Sequence, residues 1–331
     1  MKKFVPALAL ASVAALALTG CSATSAADDG DGAIEVVAST NVYGSLAEQI
    51  GGDRVEVTSI ITSATQDPHS YEASARDRLT VQNADLVIEN GGGYDGFIDT
   101  LLGDSSETPV VSAVEYSHDF PGNEGHDHAD EAEHDHADEA EHDHAEEEGH
   151  EGHDHIEGFN EHVWFDPHTM IHVVEAIAEQ LTELDPDGKA EFTAAADEIV
   201  AELEGFETDL ADIEEQAAGA KVVITEPLPG YLATAAGLTD VTPEGFAESV
   251  EEGSDVAPAV LLDTLTVLES GEVVAVLTNA QTGGAETERV EKAAEDAGIP
   301  VVAFTELLEN GSSYAEWMSD AIQSLAAAVQ P

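Results

Sequence analysis

The chain has 331 residues, 42% of them apolar, enough for about two domains with cores of their own. Nine Lys and Arg against 70 Asp and Glu give a formal charge of −61. So few cations exclude a nucleic-acid binder that works by neutralising phosphates, and a polybasic membrane-surface protein. A single cysteine excludes an internal disulfide and a cysteine-based zinc site.

Lys2 and Lys3 precede an apolar stretch, Phe4 to Leu18, that is short for a membrane span. Residues 1–20 are therefore predicted to be an export signal. Leu18-Thr19-Gly20-Cys21 resembles a bacterial lipobox, whose cysteine is lipidated and becomes the mature N-terminus. An ordinary signal peptide with an incidental cysteine is the alternative. Residues 21–33 read as a polar tether, with Cys21 as the lipid-attachment site. No later segment has 18 consecutive apolar residues, so the expected location is extracytoplasmic, at the cell membrane and lipid-anchored.

From residue 34 strands and helices alternate. Ile34 to Ser39, Arg54 to Ile61, Asp85 to Glu89 and Val110 to Val114 read as strands. Asn41 to Ile50, Ala73 to Asn83 and Gly96 to Leu102 read as helices between them. This is the pattern of a parallel α/β lobe, assigned to residues 34–165. Pro167 to Ala217 has helical period, and Asp185-Pro186-Asp187-Gly188 is expected to kink it. As two sub-helices or one bent one, this spine, residues 166–217, runs roughly 70 Å in total and links two lobes. The second lobe, residues 218–331, has strands at Lys221 to Thr225, Val273 to Thr278 and Val301 to Phe304. Helices are expected at Tyr231 to Ala236, Pro258 to Ser270, Glu286 to Ala297 and Tyr314 to Val329. The predicted fold class is thus α/β, two parallel-sheet lobes joined by a long helical spine.

Within the first lobe, residues 118–157 collapse into Glu, Asp, His, Gly and Ala. The octapeptide HDHADEAE at His126 to Glu133 recurs unchanged at His134 to Glu141, and a decayed copy follows. Such a segment has no core to fold around. Its histidines are His126, His128, His134, His136, His142, His144, His150, His153 and His155. Neutral imidazoles flanked by carboxylates chelate zinc, nickel or copper, so the segment is predicted to be an auxiliary capture loop of modest affinity per site. A merely solvated acidic linker is the alternative.

Four further residues stand where parallel sheets bind ligands, near the carboxyl ends of strands. His69 lies in DPHSYE after the second strand, and His162 in EHVWFDP before the spine. Glu226 and Glu306 end VVITE and VVAFTE in the second lobe. Two imidazoles and two carboxylates form a four-ligand set for a divalent transition metal in a cleft between lobes. Each has a plainer alternative: an exposed loop histidine, a histidine packed on Trp164, or acids at helix N-termini.

The segments DPHSYE, ADLVI leading to Asn90-Gly91, HVWFDP, Leu184-Asp185-Pro186, Glu226 with Tyr231 and Gly237-Leu238, and Phe304-Thr305-Glu306 carry a resemblance. From about residue 34 onward the chain resembles the ZnuA- and PsaA-like zinc/manganese family, the metal-binding lipoproteins of cluster A-I ABC transporters. The resemblance implies two α/β lobes bridged by a long helix, a metal buried between them, and delivery of the ion to a membrane ABC permease. It places His69 and His162 on the first two ligands. Glu226 falls on the third, His in zinc members and Glu in manganese members, and Glu306 on a fourth that is commonly Asp. Tyr94-Asp95 departs from the family's usual order after the Asn-Gly turn.

Zn2+ is the favoured ion because of the histidine-rich segment, with Mn2+ the alternative because two carboxylates suit a harder ion. The expected protein is a monomeric carrier without nucleic-acid partners. A surface adhesin or metal buffer is a second class. A metallohydrolase is a third, disfavoured because there is no HExxH helix and a filled four-ligand site leaves substrate nowhere to bind. His168 and His172, four apart, are expected on an exposed helix face, and His118 at the loop margin. The acidic runs Glu202 to Glu215 and Glu248 to Asp255 are expected to be solvated. Gly91-Gly92-Gly93 reads as a turn, not a nucleotide loop.

Overall fold

The computed structural model describes residues 32–103, 107–123, 156, 158–309 and 311–330. The export signal, Cys21, most of the tether and the nine loop histidines lie outside the described residues.

The first lobe runs β1 (Ile34–Thr40), α1 (Asn41–Gly51), β2 (Val55–Ile61), α2 (Ala75–Gln82), β3 (Leu86–Glu89), α3 (Phe97–Leu102) and β4 (Val110–Ser112). Its four strands are parallel, in the order β2-β1-β3-β4. The near-continuous apolar runs of β1 and β3 follow from burial on both faces, as helices cover a parallel sheet.

Two helices come next, α4 (Pro167–Leu184) and α5 (Lys189–Ala217). Asp166 caps α4 by accepting the N–H groups of His168 and Thr169, and Pro167 takes the first helical position. Of the two expected forms the structure has two helices, and the break between them does more than kink the chain. The Asp185–Gly188 break reverses the chain, and α4 packs back along α5 as an antiparallel pair. His168, near the start of α4, meets Glu207, two-thirds along α5, at 3.3 Å. Arg54 locks the turn by bonding Asp185 and Glu191. α5, about 43 Å long at 1.5 Å per residue, touches helices of both lobes.

The second lobe runs β5 (Lys221–Ile224), α6 (Gly230–Ala235), β6 (Thr239–Asp240), α7 (Phe246–Glu251), α8 (Pro258–Glu269), β7 (Val273–Asn279), α9 (Ala285–Ala297), β8 (Val301–Phe304) and α10 (Tyr314–Val329). Its parallel order, β6-β5-β7-β8, repeats that of the first sheet. Sequence patterning gives no sign of β6 and α7, because two residues and six residues are too short to show a period.

One apolar core crosses both lobes. It contains Val36 and Leu86 from the first sheet, Phe192 and Leu203 from α5, and Ile224 and Leu277 from the second sheet. Phe165 stacks on Trp317 with ring centres 4.8 Å apart, and the Tyr314 hydroxyl donates to the Trp164 carbonyl at 2.7 Å. The Asn41 side chain pairs with both backbone groups of Leu308. The lobes are therefore packed together. No helix among the described residues is long and apolar enough to cross a membrane.

Candidate metal centre

His69 leaves β2 on a loop shaped by Asp67, whose carboxylate accepts the His69 N–H at 3.0 Å and the Ser70 hydroxyl at 2.7 Å. This Asx turn points the imidazole inward, and its side chain is 5% exposed. His162 precedes α4 and is fully buried. Its Nδ1 lies 2.7 Å from Asn160 Oδ1. That oxygen only accepts, so Nδ1 carries the proton and the lone pair sits on Nε2. Asn160 also reaches the second lobe, donating from Nδ2 to the Pro227 carbonyl at 3.0 Å.

Between the imidazoles stands Glu161, which sequence reasoning passed over. Donor atoms of His69, Glu161 and His162 all lie within 4.8 Å of one another. A tetrahedral zinc ion with bonds near 2.1 Å sets its ligands about 3.4 Å apart, so a modest contraction suffices. Glu161 is 2% exposed, and its Oε1 lies 3.9 Å from His69 Nδ1.

Glu226 and Glu306 approach from the second sheet's carboxyl end, and both are buried. They are not part of that close group. Glu226 accepts a hydrogen bond from Thr282. Glu306 accepts from Asn279 Nδ2 at 2.7 Å and from the Tyr94 hydroxyl at 3.1 Å. The end of β7 and the loop after it thus hold both acids, and Gln281 also accepts the Glu306 N–H at 2.5 Å.

A second acid missing from the sequence reading is Glu251, at the end of α7. Glu248 and residues 252–255 of that acidic run are exposed as expected. Glu251 instead turns inward, 11% exposed, with Oε1 3.9 Å from His162 Nδ1. The expectation of a wholly solvated run is corrected here: only a helix one and a half turns long puts this side chain inside.

Tyr94 and Asp95 explain the unusual order after the Asn-Gly turn. Asp95 accepts the backbone N–H groups of Asn90 and Gly91 at 2.7 and 2.8 Å, closing the turn. Gly91, Gly92 and Gly93 all have positive φ, and a Cβ at Gly91 would collide with Ser112. The closed turn sets the Tyr94 ring against His69, His162 and Trp164, at 4.9, 6.0 and 4.6 Å. A cavity of about 650 Å3 opens beside His69, lined among others by Tyr71, Glu72, Glu89 and Asp99.

Buried carboxylates dominate the electrostatics of this cluster. Burial, then the charge of Glu306, pushes Glu226 up to about 7. Burial also raises Glu306, against hydrogen bonds from Asn279 and Tyr94 that favour its charged form. Glu251 is pushed up to about 9, by burial first and then by Glu161 and Glu226. Crowded carboxylates in a dry cleft are costly unless protons or a cation neutralise them.

Away from the cleft, His168 is half exposed beside Glu207, and His172 is 27% exposed beside Glu175. His118 is 55% exposed and contacts Asp119. The acids of residues 202–215 lie along the outer face of α5.

Fold and site together define a family. The chain belongs to the ZnuA family, zinc-uptake complex component A, periplasmic, whose model matches residues 36–328. It is similar to the manganese-binding lipoprotein MntA of Halalkalibacterium halodurans, 28% identical over 205 residues, covering 61% of this chain and 55% of that one. It is also similar to the zinc-binding lipoprotein AdcA of Streptococcus pneumoniae, 28% identical over 254 residues, covering 76% of this chain and 46% of that one. The chain thus spans about half the length of these curated relatives. Among solved structures, the periplasmic zinc-binding protein TroA of Treponema pallidum superposes with a TM-score of 0.68 at 19% identity. That likeness covers 91% of this chain and all of TroA, and it speaks to the fold.

Proposed function

We propose that this protein is an extracytoplasmic binding protein that captures one divalent transition-metal ion between its lobes and delivers it to an ABC permease. Zinc is the preferred ion, Cys21 carries the lipid anchor, and the protein carries out no chemical conversion of its cargo. The observation that carries this reading is the close group of His69, Glu161 and His162, whose donor atoms lie within 4.8 Å of one another, with Glu226 and Glu306 buried near it and their pKa values raised by burial. His69 and His162 serve as nitrogen ligands, and Glu226 and Glu306 as oxygen ligands from the second lobe. The histidine-rich segment gathers further ions at lower affinity.

A manganese carrier is the second reading, favoured by the excess of carboxylate over imidazole in the same cleft. An anaerobic competition titration of zinc against manganese, with metal content counted per chain, tests both. One tightly held zinc ion supports the first reading, and one manganese ion the second. Absence of any tight site overturns the carrier assignment. His69→Ala and His162→Ala should each abolish most of the tight binding while the metal-free protein stays folded.

A further inference from the structure

We propose that His168 and His172, on the exposed side of α4, form a second metal site that takes a zinc-class divalent ion and exchanges it readily. This goes beyond the carrier reading and uses none of the cleft residues.

The two histidines are one helical turn apart in α4, so their side chains share one face. Their ring centres are 5.2 Å apart and their planes cross at 88°. Two imidazoles on one tetrahedral zinc ion, with bonds near 2.1 Å, have ring centres about 5 Å apart. The helix therefore already holds the rings at the separation that a shared ion needs. Histidines four apart on a helix face bind zinc in other settings for the same reason.

Each ring also has a carboxylate beside its Nδ1. His168 Nδ1 lies 3.3 Å from Glu207 Oε1, and His172 Nδ1 lies 3.4 Å from Glu175 Oε2. A carboxylate at one ring nitrogen orients the imidazole and directs the other nitrogen, here Nε2, to the metal. Glu207 comes from α5, so the packing of α4 on α5 builds this arrangement, not α4 alone. Contacts that the rings now make are exchanged for metal bonds as the ion arrives.

The start of α4 carries about half a positive charge, which opposes a cation there. Three carboxylates outweigh it: Glu175, Glu207 and Asp166, whose Oδ1 accepts the His168 N–H at 3.3 Å. The His168 side chain is 51% exposed and that of His172 is 27% exposed, so solvent reaches the pair. Two protein ligands leave a tetrahedral ion two positions for water or for an outside donor. That makes the site an exchange point and not a store.

Imidazole NMR of the full chain, titrated with Zn2+ past the equivalent that fills the tight site, tests the proposal. The His168 and His172 resonances are assigned by their loss in His168→Ala and His172→Ala. In the wild type both should shift together. Removing either histidine should weaken the response of the other about ten-fold or more, because a chelate becomes a single contact. Glu207→Gln should weaken both about ten-fold. Resonances that stay in place, or that shift equally well without the partner histidine, overturn the proposal. If His172→Ala does not fold, His168→Ala decides alone, since His168 is half exposed. Both variants should keep the tight equivalent of zinc. Its loss in either would assign the pair to the cleft site and overturn the proposal. A wild-type chain without a tight equivalent would overturn the carrier reading alone.

Discussion

The Tyr94 hydroxyl donates to Glu306 Oε2 at 3.1 Å, so a side chain of the first lobe holds a buried carboxylate of the second. Both residues are almost fully buried. Tyr94→Phe leaves the ring in place against His69 and Trp164 but removes that donor. A hydrogen bond contributes about 0.5–1.5 kcal/mol net, so the metal-free variant should lose stability of that order. Urea unfolding in the presence of a chelator measures it. If Glu306 ligates the ion, the loss should shrink with zinc bound, because the ion then replaces tyrosine as its partner.

Asn160 couples the lobes through His162. Its Oδ1 orients the imidazole, its Nδ2 bonds the Pro227 carbonyl, and its own carbonyl accepts the Tyr231 hydroxyl at 2.8 Å. Partners that fix a ligand's tautomer and direction are worth about 10–100-fold in metal affinity. Asn160→Ala should weaken the tight site by that factor without changing metal stoichiometry. Competition against a chelating dye checks both quantities at once.

Some of this site is visible in the sequence, for a definite reason. His69, Glu226 and Glu306 follow strands, and parallel sheets present ligands at those ends. Glu161 is hidden because strand alternation argues against two neighbouring ligands, and the γ-turn in which the Val163 N–H donates to the Glu161 carbonyl is not written in residue type. Glu251 is hidden inside an acidic run, where only the tertiary placement of a short helix separates one buried carboxylate from its exposed neighbours. The Asp185–Gly188 break is visible, but kink and reversal share one local signature. Packing of α4 on α5 decides between them.

The buried acids predict proton-linked binding. Glu226 and Glu251, raised to about 7 and about 9, hold protons in the metal-free cleft that a bound cation displaces. Affinity should therefore rise with pH through about 7 to 9, and fall steeply below about 6.5 as imidazoles in general become protonated. Calorimetry in buffers of different ionisation enthalpy should show proton release near pH 7. A heat independent of the buffer would contradict this.

A second pair sets the stability of the metal-free protein. Burial, then the charge of Asp95, pushes Glu89 up to about 8, and burial raises Asp95 to about 6. Their unfolded values are 4.5 and 3.8, so the folded state holds more protons across the interval between. This contribution is fully present below the unfolded values and is lost as pH rises through about 6 and then about 8. The melting temperature of the metal-free protein should thus decline from pH 5 towards pH 8. Glu89→Gln should flatten that decline and be the more stable protein at pH 8, as differential scanning fluorimetry across the range would show.

Glu226 bears most directly on the choice of metal. It follows β5 on a Thr225-Glu226-Pro227 exit that fixes its direction, and it brings oxygen and negative charge from the second lobe. Replacing it by His exchanges a hard oxygen donor for a third imidazole and removes one of the crowded carboxylates. Zinc gains from nitrogen ligands, and manganese loses an oxygen that it prefers. Glu226→His should therefore raise the ratio of zinc to manganese affinity, by about ten-fold if one ligand exchange is worth about 1.4 kcal/mol. Paired titrations of wild type and variant, read by tryptophan fluorescence so that the cleft dominates the signal, give the ratio directly. An unchanged ratio would mean that Glu226 stays with Thr282 when the ion is bound, and that oxygen donation falls to Glu161 and Glu306.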